Sequence, residues 1–163
     1  MSSFNRRHFC LAALAAVPAC GFAPVYGPNG AGTALHGKVL VDEPITRDAY
    51  LLTRELETRL GRANPGQYGL SYAIDVGSES IAISKANVTT RFNLLGDATY
   101  ALRDLDTGAV ITSGKVSNFV GYSASGSTVA TQASEGDARG RLMNILADQI
   151  VTRLIVAVPA ADI

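Results

Sequence analysis

The sequence predicts an α+β fold: a four-stranded mixed or antiparallel sheet with two helices packed on one face, in the order β-α-β-β-β-α. Three observations carry this expectation. Apolar residues recur every three or four positions in two segments, one following Thr46 and one following Ser134. Between those segments lie three runs in which apolar and polar residues alternate at period two, and turn residues mark each change of period. A chain of 163 residues, 47% of them hydrophobic, is long enough for one such core and short for several domains.

The first strand is Lys38-Val39-Leu40-Val41-Asp42, ended by Pro44, which has no N–H to give to a sheet ladder. In the helix that follows, Ala49, Leu52, Leu56 and Leu60 share a face; Thr46 is placed to cap the first free amides, Asp48 suits the positive end of the helix dipole, and Gly61 ends the element. Arg47, Arg54, Glu55 and Arg59 read as a solvated outer stripe, with Glu55 and Arg59 spaced for an ion pair. After the turn Asn64-Pro65-Gly66, residues Leu70, Tyr72, Ile74 and Val76 alternate; Ile81 and Ile83 take the opposite parity, which predicts a bulge or slip at Gly77-Ser78. The next run is cleaner. Phe92, Leu94, Ala98, Tyr100 and Leu102 point one way, while Arg91, Asn93, Asp97, Thr99 and Arg103 point the other, as in a sheet with one wet face. Asp106-Thr107-Gly108 closes a hairpin onto Ala109 to Tyr122, where Ile111, Val116, Phe119 and Val120 do not settle on one face. Gly121 to Thr131 reads as a mobile loop with Tyr122 at its base. In the last helix Ser134 and Asp137 form a capping-box pattern, and Leu142, Ile145, Leu146, Ile150, Val151 and Leu154 make a wide apolar stripe that ends before Pro159.

The N-terminus is of another kind. MSSFNRRHFCLAALAAVPAC has a basic start at Arg6-Arg7, an apolar run from Phe9 to Val17 that is too short to span a bilayer, and a small residue, Ala19, before Cys20. It reads as an export signal, by the general secretory or the twin-arginine route. Cys10 would leave with the leader, so the mature chain would start on one cysteine and form no internal disulfide. Val17-Pro18-Ala19-Cys20 resembles the bacterial lipobox, which implies acylation of the Cys20 sulfur and anchoring in a membrane. Gly21, rather than Asp, follows Cys20, which by resemblance to lipoprotein sorting rules permits delivery to the outer membrane. The expected organisation is therefore a lipoprotein signal peptide over 1–19, a lipidated flexible tether over 20–37, a single domain over 38–158 and a tail over 159–163.

Charge and residue types exclude several function classes. Two of the 14 basic residues precede Cys20 and none of the 14 acidic ones does, so the mature chain is mildly acidic and offers no footprint for nucleic acid. His36 is the sole histidine beyond the leader, which leaves no triad or zinc cluster to assemble. Glu79, Asp97 and Asp104 occupy polar strand or turn positions, and Gly37-Lys38 and Gly114-Lys115 lack the spacing of a phosphate loop. A non-catalytic protein without cofactor or metal is expected.

Cys20-Gly21-Phe22, a strand, a helix carrying Arg54-Glu55-Leu56, the run Val88-Thr89-Thr90-Arg91-Phe92 leading to Ala98-Thr99-Tyr100-Ala101-Leu102, then Gly108 and a long final helix, together resemble the LptE family of LPS-assembly lipoproteins. The likeness spans nearly all of the mature chain. It implies an outer-membrane lipoprotein on the periplasmic face, held in the inner leaflet through Cys20, which plugs the LptD β-barrel and helps deliver lipopolysaccharide to the cell surface. The family's binding of lipopolysaccharide through basic residues makes Lys85, Arg91, Arg103 and Lys115 the candidate contacts, chosen here by residue type and strand position. Two other readings stay open: a lipoprotein subunit of a lipid-transport ABC system, and a lipid-carrying or hydrolytic periplasmic domain.

Overall fold

The computed structural model of the chain describes residues 25, 27, 30–83, 89–124 and 127–158. The leader 1–19, Cys20, Lys85 and the tail 159–163 lie outside the described residues. The elements are α1 (Ala31–Leu35), β1 (Val39–Val41), α2 (Arg47–Leu60), β2 (Tyr68–Ile83), β3 (Thr89–Asp104), β4 (Val110–Ser123) and α3 (Thr128–Ala157). The α+β class is as expected, and the sheet is mixed. Its spatial order is β1-β2-β3-β4, with β1 parallel to β2 and the other neighbours antiparallel.

Period-two alternation in β3 organises the whole. Leu94, Ala98, Tyr100 and Leu102 are buried on one face, where β4 adds Val116 and Val120 and β2 adds Leu70. Over that face lies α3, whose Leu142, Met143, Leu146, Ala147, Ile150 and Leu154 are fully buried. Each large side chain removed from water there stabilises the fold by about 1.5–3 kcal/mol. Gly96 explains how α3 comes so close: a Cβ at this position would stand 2.9 Å from Leu142 Cδ2 and 3.1 Å from Leu146 Cδ1. Alongside α3 runs α2, burying Leu52, Leu56 and Leu60. Its predicted ends hold: Thr46 Oγ1 accepts the Ala49 N–H at 3.1 Å, and Gly61, at φ 75°, donates to the Glu57 carbonyl.

Several local expectations are corrected. The segment up to Gly37, read as tether, contains α1, because Leu35 is an apolar anchor that becomes fully buried and Gly37 N–H bonds the Leu60 carbonyl at the end of α2. Gly77 and Ser78 pair regularly with Leu95 and Leu94; the register slip falls later, between Ser80 and Ala82. The loop expected over Gly121 to Thr131 is consumed from both sides, since Gly121–Ser123 pair with Asn93–Arg91 and α3 begins at Thr128. The cap of α3 is Ser127, whose hydroxyl accepts the Ala130 N–H at 3.2 Å, and Ser134 sits inside the helix. No apolar stripe announces these first turns, because the earliest buried residue of α3 is Ala138.

The charged stripe of α2 is likewise more than a solvated surface. Glu55 accepts hydrogen bonds from Arg59 at 2.9 Å and from Asn144 of α3 at 3.1 Å, while Arg59 reaches Asp148 at 2.5 Å, so the pair ties the two helices together. The bond from Arg59 holds the Glu55 carboxyl below the usual carboxylate range, against the opposing effect of burial and with help from Arg54. A depressed folded-state pKa gives stability that is complete above the unfolded value, about 4.3, and is lost as pH falls through the folded one. Glu55→Gln is expected to lower stability by about 0.5–1 kcal/mol at neutral pH and to flatten the acid limb of a urea-midpoint-against-pH curve. An acid limb identical to that of the unsubstituted protein would assign the acid sensitivity to other carboxylates.

Candidate functional site

The face of the sheet turned away from the helices is the surface available for recognition, and its composition is uneven. Across the middle run Ser71, Ala73, Thr99, Ala101 and Ser113, whose small side chains leave a shallow depression of about 370 Å³ over Ser71, Ala73, Thr99 and Ala101. Toward the end of the sheet where β2 finishes and β3 starts, Leu95 of β3 stands directly across from Phe119 of β4 and beside Gly77 of β2. Phe119 is 61% exposed, unusual for a phenylalanine on a folded domain, and forms an apolar ledge with Leu95.

Of the sequence-derived cations, the three described ones, Arg91, Arg103 and Lys115, are spread over this face and do not converge; Lys85 lies outside the described residues. Arg91 pairs in register with Ala82 and Ser123, and Arg103 with Gly69 and Val110. At about 3.4 Å per residue the two are about 40 Å apart along β3, too far to hold one headgroup. Both are exposed and have no ion-pair partner among the described residues. Lys115, across from Thr99, is already engaged: its Nζ lies 3.1 Å from Asp97 Oδ2. Asp97 also accepts the Ser117 hydroxyl, and this bond and then Lys115 hold its carboxyl below the usual range. The structure thus leaves Arg91 and Arg103 as free cations at opposite ends of the face. Tyr122, expected at the base of a loop, is buried; it stacks on Phe92 with ring centroids 5.3 Å apart and shares a hydrogen bond with Ser78. It is a core residue.

The carboxylates considered for chemistry have local duties. Asp104 accepts the backbone N–H and hydroxyl of Thr107 and the N–H of Asp106, which hold its carboxyl low and fix the β3–β4 turn. Among the described residues no group of three His, Cys, Asp or Glu is placed to hold a metal ion, and no helix is long and apolar enough to cross a membrane. Phe119 is the functional candidate that sequence reading missed. The signal that reveals it is the turn at Asp104–Gly108, which fixes the pairing of β4 and puts Phe119 on the same face as Lys115 and Ser117.

Comparison with known proteins gives a consistent result. The model of the lipopolysaccharide-assembly family LptE matches residues 38–154. Among solved structures, a lipoprotein from Caulobacter crescentus CB15 superposes with a TM-score of 0.65 at 22% identity, covering 77% of this chain and 93% of that one. A minor lipoprotein from Acinetobacter baumannii gives 0.59 at 18% identity, covering 74% and 92%. The rare lipoprotein B from Shewanella oneidensis gives 0.54 at 10% identity, covering 73% and 92%. At such identities these likenesses establish a shared fold. No curated protein matches the sequence.

Proposed function

The chain belongs to the LptE lipopolysaccharide-assembly family, and from that premise we propose that it works as a lipid-anchored, non-catalytic plug of an LptD-type β-barrel in the outer membrane. It is an LPS-assembly lipoprotein of the envelope, from a family without catalytic function. The observation that carries the finer reading is the extent of the family match, which runs from the start of β1 into the last turn of α3 and so takes in the whole sheet and both long helices. A rigid body with a broad, shallow face, an apolar ledge and two free arginines suits contact with a barrel wall better than it suits enclosing a small substrate.

In this reading residues 1–19 are removed, Cys20 carries the acyl chains and faces the periplasm, and the residues before α1 connect anchor to domain. Co-purification through a C-terminal tag from detergent-solubilised outer membranes tests it. Recovery of a large β-barrel at equal stoichiometry supports the proposal; recovery of an inner-membrane permease complex, or of the chain alone with bound lipid, ends it. Contact with lipopolysaccharide is assigned to Arg91, with Lys85, six residues earlier in the sequence, and secondarily to Arg103; Lys115 is a weaker candidate because Asp97 already occupies it. Arg91→Ala is expected to weaken binding of isolated lipopolysaccharide about tenfold at low ionic strength, with the difference shrinking as salt is added. Unchanged affinity would remove Arg91 from the contact.

A further inference from the structure

The two edges of the sheet are treated differently. On β4 the backbone groups that point out of the sheet belong to odd-numbered residues, and several are capped by side chains. Arg153 donates to the Lys115 carbonyl at 2.5 Å, Asn118 Oδ1 accepts the Phe119 N–H at 2.8 Å, and Arg141 donates to the Gly121 carbonyl at 3.5 Å. This is a guarded edge.

On β2 no such guard is present among the described residues. The bonds from Tyr68 N–H to Lys38 and from Asp42 N–H to the Leu70 carbonyl show that even-numbered residues of β2 point toward β1. β1 pairs only with Tyr68–Leu70, and the chain then turns away through Pro44 into α2. The N–H and C=O groups of Tyr72, Ile74, Val76 and Ser78 are therefore left along an open lane, with no partner among the described residues. The lane is rigid. The Tyr72 hydroxyl bonds Thr53 at 2.6 Å, and Ile74 and Val76 pack on the core. Beside its start is a depression of about 250 Å³ lined by residues that include Asp42, Ile45, Tyr72 and Ile74, with Ile45 96% exposed. Charge along the lane has one sign: Asp42, Glu43, Asp75 and Glu79 are all exposed, and none has an ion-pair partner among the described residues.

We propose that the β2 edge from Tyr72 to Ser78 is a docking site for an extended, lysine- or arginine-bearing strand of a partner protein, which continues the lane of β1 by strand addition. Backbone bonding supplies affinity in this mode, and side chains at alternate positions supply specificity. Basic residues of the incoming strand fall on the open face beside Asp75 and Glu79, and its apolar residues fall on the side of Ile74 and Val76. A second copy of this chain is the poorer occupant, since pairing β2 with itself brings the carboxylates of both copies within a Debye length of about 8–10 Å. The inference rests on edge geometry and charge and does not depend on the barrel assignment.

The test uses the full chain in detergent micelles and a synthetic peptide of about seven residues alternating lysine and valine. Amide hydrogen exchange at Tyr72, Ile74, Val76 and Ser78 is read by NMR. In the free protein these amides are expected to exchange fast, and the lysine peptide to slow them about tenfold or more. A peptide with glutamate in place of lysine, and one N-methylated at the amides that face β2, should not. Asp75→Lys with Glu79→Lys should reverse the preference toward the glutamate peptide. The proposal is overturned by slow exchange at these amides in the free protein, or by no protection from the lysine peptide. Equal protection from all three peptides, or protection that grows with protein concentration alone, would also overturn it, the last by showing that a second copy fills the lane.

Discussion

Cys20→Ser is expected to move the purified chain from nearly complete association with phospholipid vesicles to nearly complete release. The serine hydroxyl does not replace the thiol as acceptor of diacylglycerol, so the variant lacks every acyl chain. Each buried methylene contributes about 0.8 kcal/mol; one chain holds a protein only marginally, whereas two or three hold it in effect permanently. No partial phenotype is therefore expected. Vesicle flotation of purified protein is the decisive measurement, because in cells a barrel partner would retain the variant at the membrane. Intact mass should show no attached lipid, and the melting curve should stay unchanged, since every packed element among the described residues begins at or after Ala31. Vesicle binding equal to that of the unsubstituted protein would show that Cys20 is not the anchor.

The largest effect expected on the fold itself comes from Leu146→Ala. Leu146 is fully buried and packs closely over Gly96 of β3. Truncation loses the transfer free energy of the removed atoms and leaves a cavity that two rigid elements cannot close, a cost of about 2–5 kcal/mol. That is a large share of the about 5–15 kcal/mol that holds a typical domain together. Urea denaturation should show the midpoint falling by a corresponding amount, while Val156→Ala in the same helix, at a position 82% exposed, should stay within about 0.5 kcal/mol. Equal midpoints for the two variants would contradict the assigned packing of α3 on the sheet.

What the sequence made legible is what a period reports. Alternation from Phe92 to Leu102 identified both faces of β3 correctly, and the spacing of Leu142, Leu146, Ile150 and Leu154 identified the buried face of α3. Thr46 and Gly61 marked the ends of α2 because caps need particular chemistry. The facing of β4 was illegible because it carries apolar residues on both faces, Val116 and Val120 in the core and Phe119 on the open side. The first turns of α3 were hidden because Thr128 to Ser134 bury nothing and carry no stripe. Five-residue α1 offers too little length for any periodicity, and its place is fixed by Leu35 and by the bond from Gly37 to Leu60. For the candidate site, alternation put Arg91 and Arg103 on the open face but says nothing of the distance between them. The pairing of Lys115 with Asp97 depends on a cross-strand register that only the folded sheet supplies.

The junction where α1 meets α2 decides how the domain bears load. With an anchor at Cys20, any tug from the bilayer reaches the body through Gly30 and pulls first on α1, whose grip is the Leu35 side chain and the bond from Gly37 to Leu60. With so few holding contacts this small helix would act as a sacrificial link, peeling off and lengthening the leash before force reached the short parallel pairing of β1 with β2. A domain so tethered would keep its shape while the membrane beneath it undulates.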